Sequence, residues 1–179
     1  MRALTTARLK QIAVIAAGLL GLILLLLAIA AALVYPSLPD IAELSDYRPK
    51  QPLRVYTADG VQIGEYGAER RRYLPLDQIP KQMQEALLAI EDADFYEHGG
   101  LSYSGIARAA VSNLFSARTQ GASTITQQLA RDFYLTKKRL YSRKFIEALL
   151  TWKIESALSK PRILEIYMNQ IYLGQRAYG

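Results

Sequence analysis

Residues 121–133 read GASTITQQLARDF, and their spacing decides the fold class. From Ser123 to about Leu135 the stretch predicts an α-helix. Thr124, Gln128 and Arg131 fall at i, i+4 and i+7 and so share one face, beside an apolar row of Ile125, Leu129 and Phe133. A polar face next to a buried one places this helix at the edge of a core. Hydroxyl, amide and guanidinium groups aligned in this way can hold sugar hydroxyls and phosphate oxygens, with Arg131 supplying bidentate bonds; an ordinary solvated face has the same pattern. Ahead of them, the small and hydroxylated residues Gly121, Ala122, Ser123 and Thr124 leave the first amides of the helix open to a cap or to an anion.

Helical spacing continues on both sides. From Asp77 onward, with Pro80 in a first turn, Met83, Ala86, Leu87 and Ile90 form an apolar stripe that His98, Gly99 and Gly100 close. Glu91 lies about a quarter-turn from the centre of that stripe, at a core boundary whose partial burial suits a carboxylate to general-base work, although an ordinary boundary glutamate has the same placement; Asp92 points nearly opposite. A further helix is predicted over Tyr103 to about Phe115, with Ile106, Ala110 and Leu114 on one side, followed by a polar loop. The next runs from about Leu140 to Leu158 and carries Ile146, Leu149, Leu150, Trp152 and Ile154. On it Arg143 and Glu147 stand one turn apart with Lys144 beside them: a surface ion pair, or a second carboxylate with two cations. A last helix begins at Pro161 and ends near Gly174. Leu53–Thr57 and Val61–Tyr66 alternate around Ala58-Asp59-Gly60 and predict a β-hairpin, after which Arg70-Arg71-Arg72 reads as a solvated charge run in preference to a phosphate contact.

The N-terminus is of another kind. No charged residue occurs between Gln11 and Pro39, and residues 12–35 form an apolar run long enough for a helix to cross a hydrocarbon core of about 30 Å. The run is too long for the core of a cleaved signal peptide. Arg2, Arg8 and Lys10 precede it, so the positive-inside rule keeps residues 1–11 in the cytoplasm and exports the rest. These three residues supply half of the formal net charge of +6, and the modest excess that remains fits a membrane surface or a phosphorylated substrate rather than nucleic acid. Cysteine is absent and His98 is the single histidine, which excludes disulfides, thiol nucleophiles and Cys/His zinc cages. No dedicated metal cage is visible.

Four segments, taken in order, resemble one family. EDADFYEHGG over residues 91–100, GASTITQQL over 121–129, Arg143-Lys144 with Glu147, and KPRILEIYMNQIYLG over 160–174 are similar to the four motifs of the glycosyltransferase domain of class A penicillin-binding proteins. These are the family 51 peptidoglycan glycosyltransferases, and the chain looks most like the 1A type. Arg131-Asp132 stands where many members have Lys-Asn, which keeps the charge of the first residue and weakens it locally.

The resemblance implies a mainly α, lysozyme-like domain with a small β-hairpin behind one transmembrane helix. Its parts are a juxtamembrane linker and hairpin over 36–76 and a glycosyltransferase domain over 77–179. Because the family domain continues with further helices, the chain reads as a fragment. By the same resemblance, an inverting enzyme of the cytoplasmic membrane, its catalytic domain periplasmic, joins lipid II units into β-1,4 glycan and releases undecaprenyl pyrophosphate. Glu91 is then the base toward the acceptor 4-hydroxyl. Glu147 holds the donor pyrophosphate directly or through a divalent cation such as Mg²⁺, and Arg131, Arg143 and Lys144 offset its charge. Thr124 and Gln128 position sugars and phosphate, while Asp92, Phe95, His98 and Ser123 build the site. Its partners are lipid II, the growing glycan strand, the membrane and other cell-wall synthesis proteins. The enzymatic reading expects the carboxylates of Glu91 and Glu147 to converge on one cleft lined with cations. A glycan-cleaving relative would not need the cationic set, and a non-catalytic, membrane-tethered interaction module is the reading favoured if the truncation is natural and leaves the domain incomplete.

Overall fold

The computed structural model describes residues 2–47, 52–67, 70–71, 73–115, 121–135, 141–174 and 177–178. The chain divides into two units, Met1–Pro39 and Asp40–Gly179. In the first, helix α1 (Arg2–Val34) has 33 residues, about 50 Å at 1.5 Å per residue, and an 18-residue window within Ala7–Ser37 has a mean hydropathy of 3.1. It is long and apolar enough to cross a membrane. Its leucines and isoleucines from Leu9 to Leu33 are exposed, as a helix solvated by lipid requires.

The second unit is mainly helical: α2 (Ala42–Ser45), α3 (Lys81–Glu91), α4 (Tyr103–Phe115), α5 (Ile125–Tyr134), α6 (Tyr141–Ala157) and α7 (Lys160–Gln170). Strands β1 (Leu53–Tyr56) and β2 (Gln62–Tyr66) form the expected antiparallel hairpin. In its turn Thr57 N–H donates to the Val61 carbonyl at 2.8 Å, and Gly60 takes the left-handed backbone at φ 85°. The register shifts between Val55 and Tyr56, which marks a bulge. A second sheet was not expected. Strand β3 (Arg70–Arg71) pairs in parallel with β5 (Ala177–Tyr178), which pairs antiparallel with β4 (Tyr172–Gly174). The helix predicted to reach Gly174 therefore stops at Gln170, and the backbone of Arg70 and Arg71 joins a ladder. Arg72 lies outside the described residues.

The core sits where α5, α6 and α7 meet. Ile125, Leu129, Leu150, Ile154, Ile163, Leu164 and Ile166 are inaccessible, and so is Phe95 from the segment after α3. Each such side chain contributes roughly 1.5–3 kcal/mol on burial. The apolar stripes read on α3 and α4 are not part of this core. Met83, Ile90, Ile106 and Leu114 are exposed, and α4 turns Gly105 and Ala109 inward instead. Periodicity reveals which face is apolar, but not whether protein covers it.

Polar bonds fasten the segment before α3 to α7. Asn169 accepts from Leu74 N–H at 2.9 Å and donates to the Leu74 carbonyl at 2.8 Å. Glu165 accepts from Tyr73 Oη at 2.6 Å, from Leu76 N–H at 2.8 Å and from Arg162. Burial alone would raise the Glu165 pKa, but these three donors together hold it below the ordinary glutamate value. Arg162 also donates to the Ser45 carbonyl at 3.1 Å, which draws α2 into the same unit.

Gly100 has a φ of 92°, and a Cβ there would lie 2.5 Å from Thr151 Cγ2 and 2.8 Å from Glu155 Cγ, whereas nothing lies within 4 Å of a Cβ at Gly60. In denaturant unfolding of the full chain in detergent micelles, Gly60→Ala is expected to cost about 1–2 kcal/mol for the left-handed backbone alone. Gly100→Ala adds steric overlap, for about 3 kcal/mol or more. Equal losses would show that the packing around Gly100 yields.

Candidate active site

The site begins where α3 stops. Asp92 leaves the helix at φ −162° and ψ 76°, so Glu91 is the last helical residue, several positions before the predicted closure at His98-Gly99-Gly100. This reverses the expectation for Asp92, which is buried at 7% exposure instead of pointing away from the apolar stripe. Its Oδ2 accepts from Ile125 N–H at 3.0 Å and its Oδ1 faces His98 Nε2 at 2.9 Å. Gly100 N–H donates to His98 Nδ1 at 3.1 Å, so that nitrogen carries no hydrogen and Nε2–H is the donor to Asp92. His98 thus bridges the Asp92 carboxylate and the Gly100 backbone. Phe95, fully buried, stands edge-on to Tyr96 at 5.1 Å and to His98 at 6.3 Å, with Lys160 Nζ 4.3 Å above its ring.

The N-terminus of α5 closes this arrangement. Thr124 and Gln127 form a reciprocal capping box, and Thr124 Oγ1 also donates to the Gly100 carbonyl at 2.6 Å. Of the two possibilities for these amides, the structure adopts the cap, and the anion at the helix start is the chain's own Asp92. Thr124 is thus buried and bonded to protein at its hydroxyl, although it still lines the cavity described next.

An open cavity of about 650 Å³ lies against these elements, lined by Glu91, Asp92, Ser123, Thr124, Gln128 and Arg131, and by Asp94, Ser102 and Arg108 among others. The cavity therefore gathers six of the residues singled out in the sequence. Glu91 is exposed rather than half-buried, and Gln128 Nε2 holds its Oε2 at 2.8 Å. Arg131 Nε bonds Asp132 Oδ1 at 3.3 Å, the local weakening read from the sequence. Two residues escaped the sequence reading. Arg108, on the exposed side of α4, brings a second guanidinium to the cavity. Tyr167, buried in α7, donates its hydroxyl to Gln128 Oε1 at 3.0 Å. The signal for Tyr167 lay in the fourth motif, but a tyrosine at a core position of a helix reads as packing.

Glu147 departs from the expected geometry. It is wholly enclosed at 0% exposure and does not line the cavity, so the carboxylates of residues 91 and 147 do not open on one cleft. Its ion partner is Lys144 at i−3 and not Arg143. Lys144 Nζ also donates to Ser123 Oγ at 3.0 Å, and Ser123 does line the cavity, so Glu147 reaches the site only through this cation. Arg143 Nε and Glu147 Oε2 are buried without a hydrogen-bond partner among the described residues. The helical period places Arg143 and Lys144 equally near Glu147, and packing selects one of them.

Asp92 accepts from two donors, so Asp92→Ala is expected to cost about 3–6 kcal/mol in denaturant unfolding, since each hydrogen bond to a charged group contributes roughly 1.5–3 kcal/mol. Asp92→Asn keeps one acceptor and is expected to lose about half as much. Indistinguishable losses from the two variants would remove the twofold bridging role.

The transglycosylase family model matches residues 59–179, more than half of the chain. The chain is 54% identical to penicillin-binding protein 1A of Neisseria lactamica and 52% identical to that of Neisseria flavescens, each over 155 residues, 86% of this chain and 19% of the relative. With penicillin-binding protein 1A of Escherichia coli (strain K12) the identity is 52% over 147 residues, 82% of this chain and 17% of the relative. The chain spans about a fifth of the length of these relatives. A buried Asp92 that ends one helix and starts another, an exposed Glu91 held by Gln128 on a cavity wall that also carries two guanidiniums, and a family match across all of these elements lead to one conclusion: the chain belongs to the transglycosylase family.

Proposed function

We propose that this chain is the glycan-polymerising unit of a membrane-anchored peptidoglycan glycosyltransferase, acting on lipid II with Glu91 as general base. The observation that carries the reading is the Glu91 carboxylate on the wall of a cavity shared with Arg108 and Arg131, one oxygen held by Gln128. Among the described residues its Oε1 has no partner, which leaves it facing an acceptor hydroxyl. Glu91 takes the proton of the acceptor 4-hydroxyl as that oxygen forms a bond to the donor anomeric carbon from the opposite side, inverting it. The bond from the anomeric carbon to phosphate breaks, and its electron pair leaves with undecaprenyl pyrophosphate. Arg108 and Arg131 offset the charge that develops on the leaving group, with Lys144 at the cavity edge. This cationic set favours transfer from a diphosphate over glycan hydrolysis. The helical unit with a glutamate at a helix end beside a cavity agrees with a lysozyme-like domain.

A divalent cation, which the resemblance implies, does not fit a resident site here. Among the described residues no three His, Asp or Glu side chains gather, and the Glu147 carboxylate is enclosed and already bonded to Lys144. A Mg²⁺ ion prefers six oxygens and keeps its waters, so it would arrive on the substrate diphosphate.

Arg2, Arg8 and Lys10, ahead of the apolar run of α1, support a cytoplasmic N-terminus in the inner membrane and a catalytic unit outside it. Exposed Ile90, Ile106, Val111 and Leu114, on the helices that flank the cavity, support contact of this unit with the bilayer, where the substrate's headgroup lies. Phe115 and the loop after it belong to the same membrane reading; the loop lies outside the described residues. Other cell-wall synthesis proteins are the expected company of such an enzyme.

With lipid II and Mg²⁺, Glu91→Gln is expected to lower polymerisation by about 10² to 10⁴; as much polymer as from the unsubstituted chain would remove Glu91 from its role. Leu114→Lys is expected to slow polymerisation of bilayer-embedded lipid II and to spare the rate on a short-chain, soluble analogue. A parallel fall on both substrates would count against the membrane contact.

A further inference from the structure

The base at the end of α3 is poorly held by its own helix. Glu91 is exposed and terminal, where the helix dipole disfavours an anion, and among the described residues its one hydrogen bond comes from Gln128 Nε2. A glutamine amide has two ends of nearly the same shape and opposite hydrogen-bonding sense. Only the NH₂ end serves an ionised carboxylate, because the carbonyl end would set oxygen against oxygen. Something must therefore settle which end faces Glu91.

We propose that Tyr167 is a positioning residue for the base, its hydroxyl fixing the Gln128 amide so that Nε2 is turned toward Glu91. The hydroxyl lies 3.0 Å from Gln128 Oε1, an atom that carries no hydrogen, so the phenol is the donor. Turning the amide over would break the bond to Glu91 and also leave the Tyr167 O–H, on a side chain 4% exposed, without an acceptor among the described residues. Each end of the amide thus enforces the other. Tyr167 is rigidly placed, since Ile163, Leu164, Ile166 and Met168 around it in α7 are buried. Burial pushes its pKa up to about 12; the charges of Glu91 and Asp132 add to the rise and Arg131 opposes it. The hydroxyl keeps its proton throughout the neutral range and donates at all times. The orientation of Glu91 is in this way set from α7, through α5.

This inference rests on Glu91 as the base, and the test separates the two. In the full chain, reconstituted with lipid II and Mg²⁺, Tyr167→Phe keeps the ring and removes the bond. We expect kcat to fall about three- to tenfold, the value of one hydrogen bond, with KM for lipid II changed less than twofold. In a Gln128→Ala background the same substitution should have no further effect, because Tyr167 acts only through that amide. An unchanged kcat, a loss confined to KM, or losses that multiply in the double variant would each overturn the inference. Should Glu91→Gln stay active, the base itself is misassigned; should it be inactive while Tyr167→Phe behaves as unsubstituted, only the positioning role fails. A second measurement does not depend on how Tyr167→Phe folds. Difluorotyrosine at 167 keeps the hydroxyl and lowers its pKa, so activity should acquire an alkaline limb that disappears in the Gln128→Ala background. Absence of that limb, or its persistence without Gln128, would also overturn the inference. Glu91, Asp132 and Arg131 act on the phenol alike in the Tyr167 and Gln128 variants, so their charges are common to those arms.

Discussion

One buried carboxylate organises this unit. Asp92 accepts from the first amide of α5 with one oxygen and from His98 with the other, and a carboxylate removed from water is tolerable only with such donors. Meeting both requires the chain to leave helical geometry immediately after Glu91. The end of α3, the path through Phe95 to Gly100 and the start of α5 are therefore one solution to one electrostatic problem. The first two motifs, well separated along the chain, are in space a single joint.

The charges are divided between two tasks. On the cavity wall stand Glu91, Asp94, Arg108 and Arg131, accessible and able to meet a substrate. Inside, Glu147 with Lys144, Glu155 with Lys160 and Glu165 with Arg162 are partly or wholly enclosed ion pairs. Buried pairs of this kind add little net stability but cost much when one partner is removed, so they fix geometry more than they add strength. The Lys144 bond to Ser123 is where the interior set touches the cavity.

Much of this was legible from residue order. The apolar run before Pro36 read as a helix long and apolar enough to cross a membrane, and α1 is one. Asp59-Gly60 marks the hairpin turn through the left-handed backbone that glycine accepts freely. The helices over α4, α5 and α6 were visible within a few residues of their ends, since spacing of three and four is a local property. The grouping of Glu91, Thr124, Gln128 and Arg131 around one site followed from face and motif.

The sequence by itself determined what neighbours along the chain can decide: which segments are helical, which face of each is apolar, and which residue types stand ready for acid, base or phosphate chemistry. Tertiary structure decided the rest, because the choice depended on groups far away in sequence. Asp92 was buried by an amide beyond the next helix, and Glu147 was enclosed and given Lys144 when the period alone favoured neither cation. The two-residue strands β3 and β5 exist only by pairing across almost the whole unit. Exposure of the α3 and α4 stripes, and the contact of Tyr167 with Gln128, likewise depended on what packed against each helix, a quantity that no local pattern contains.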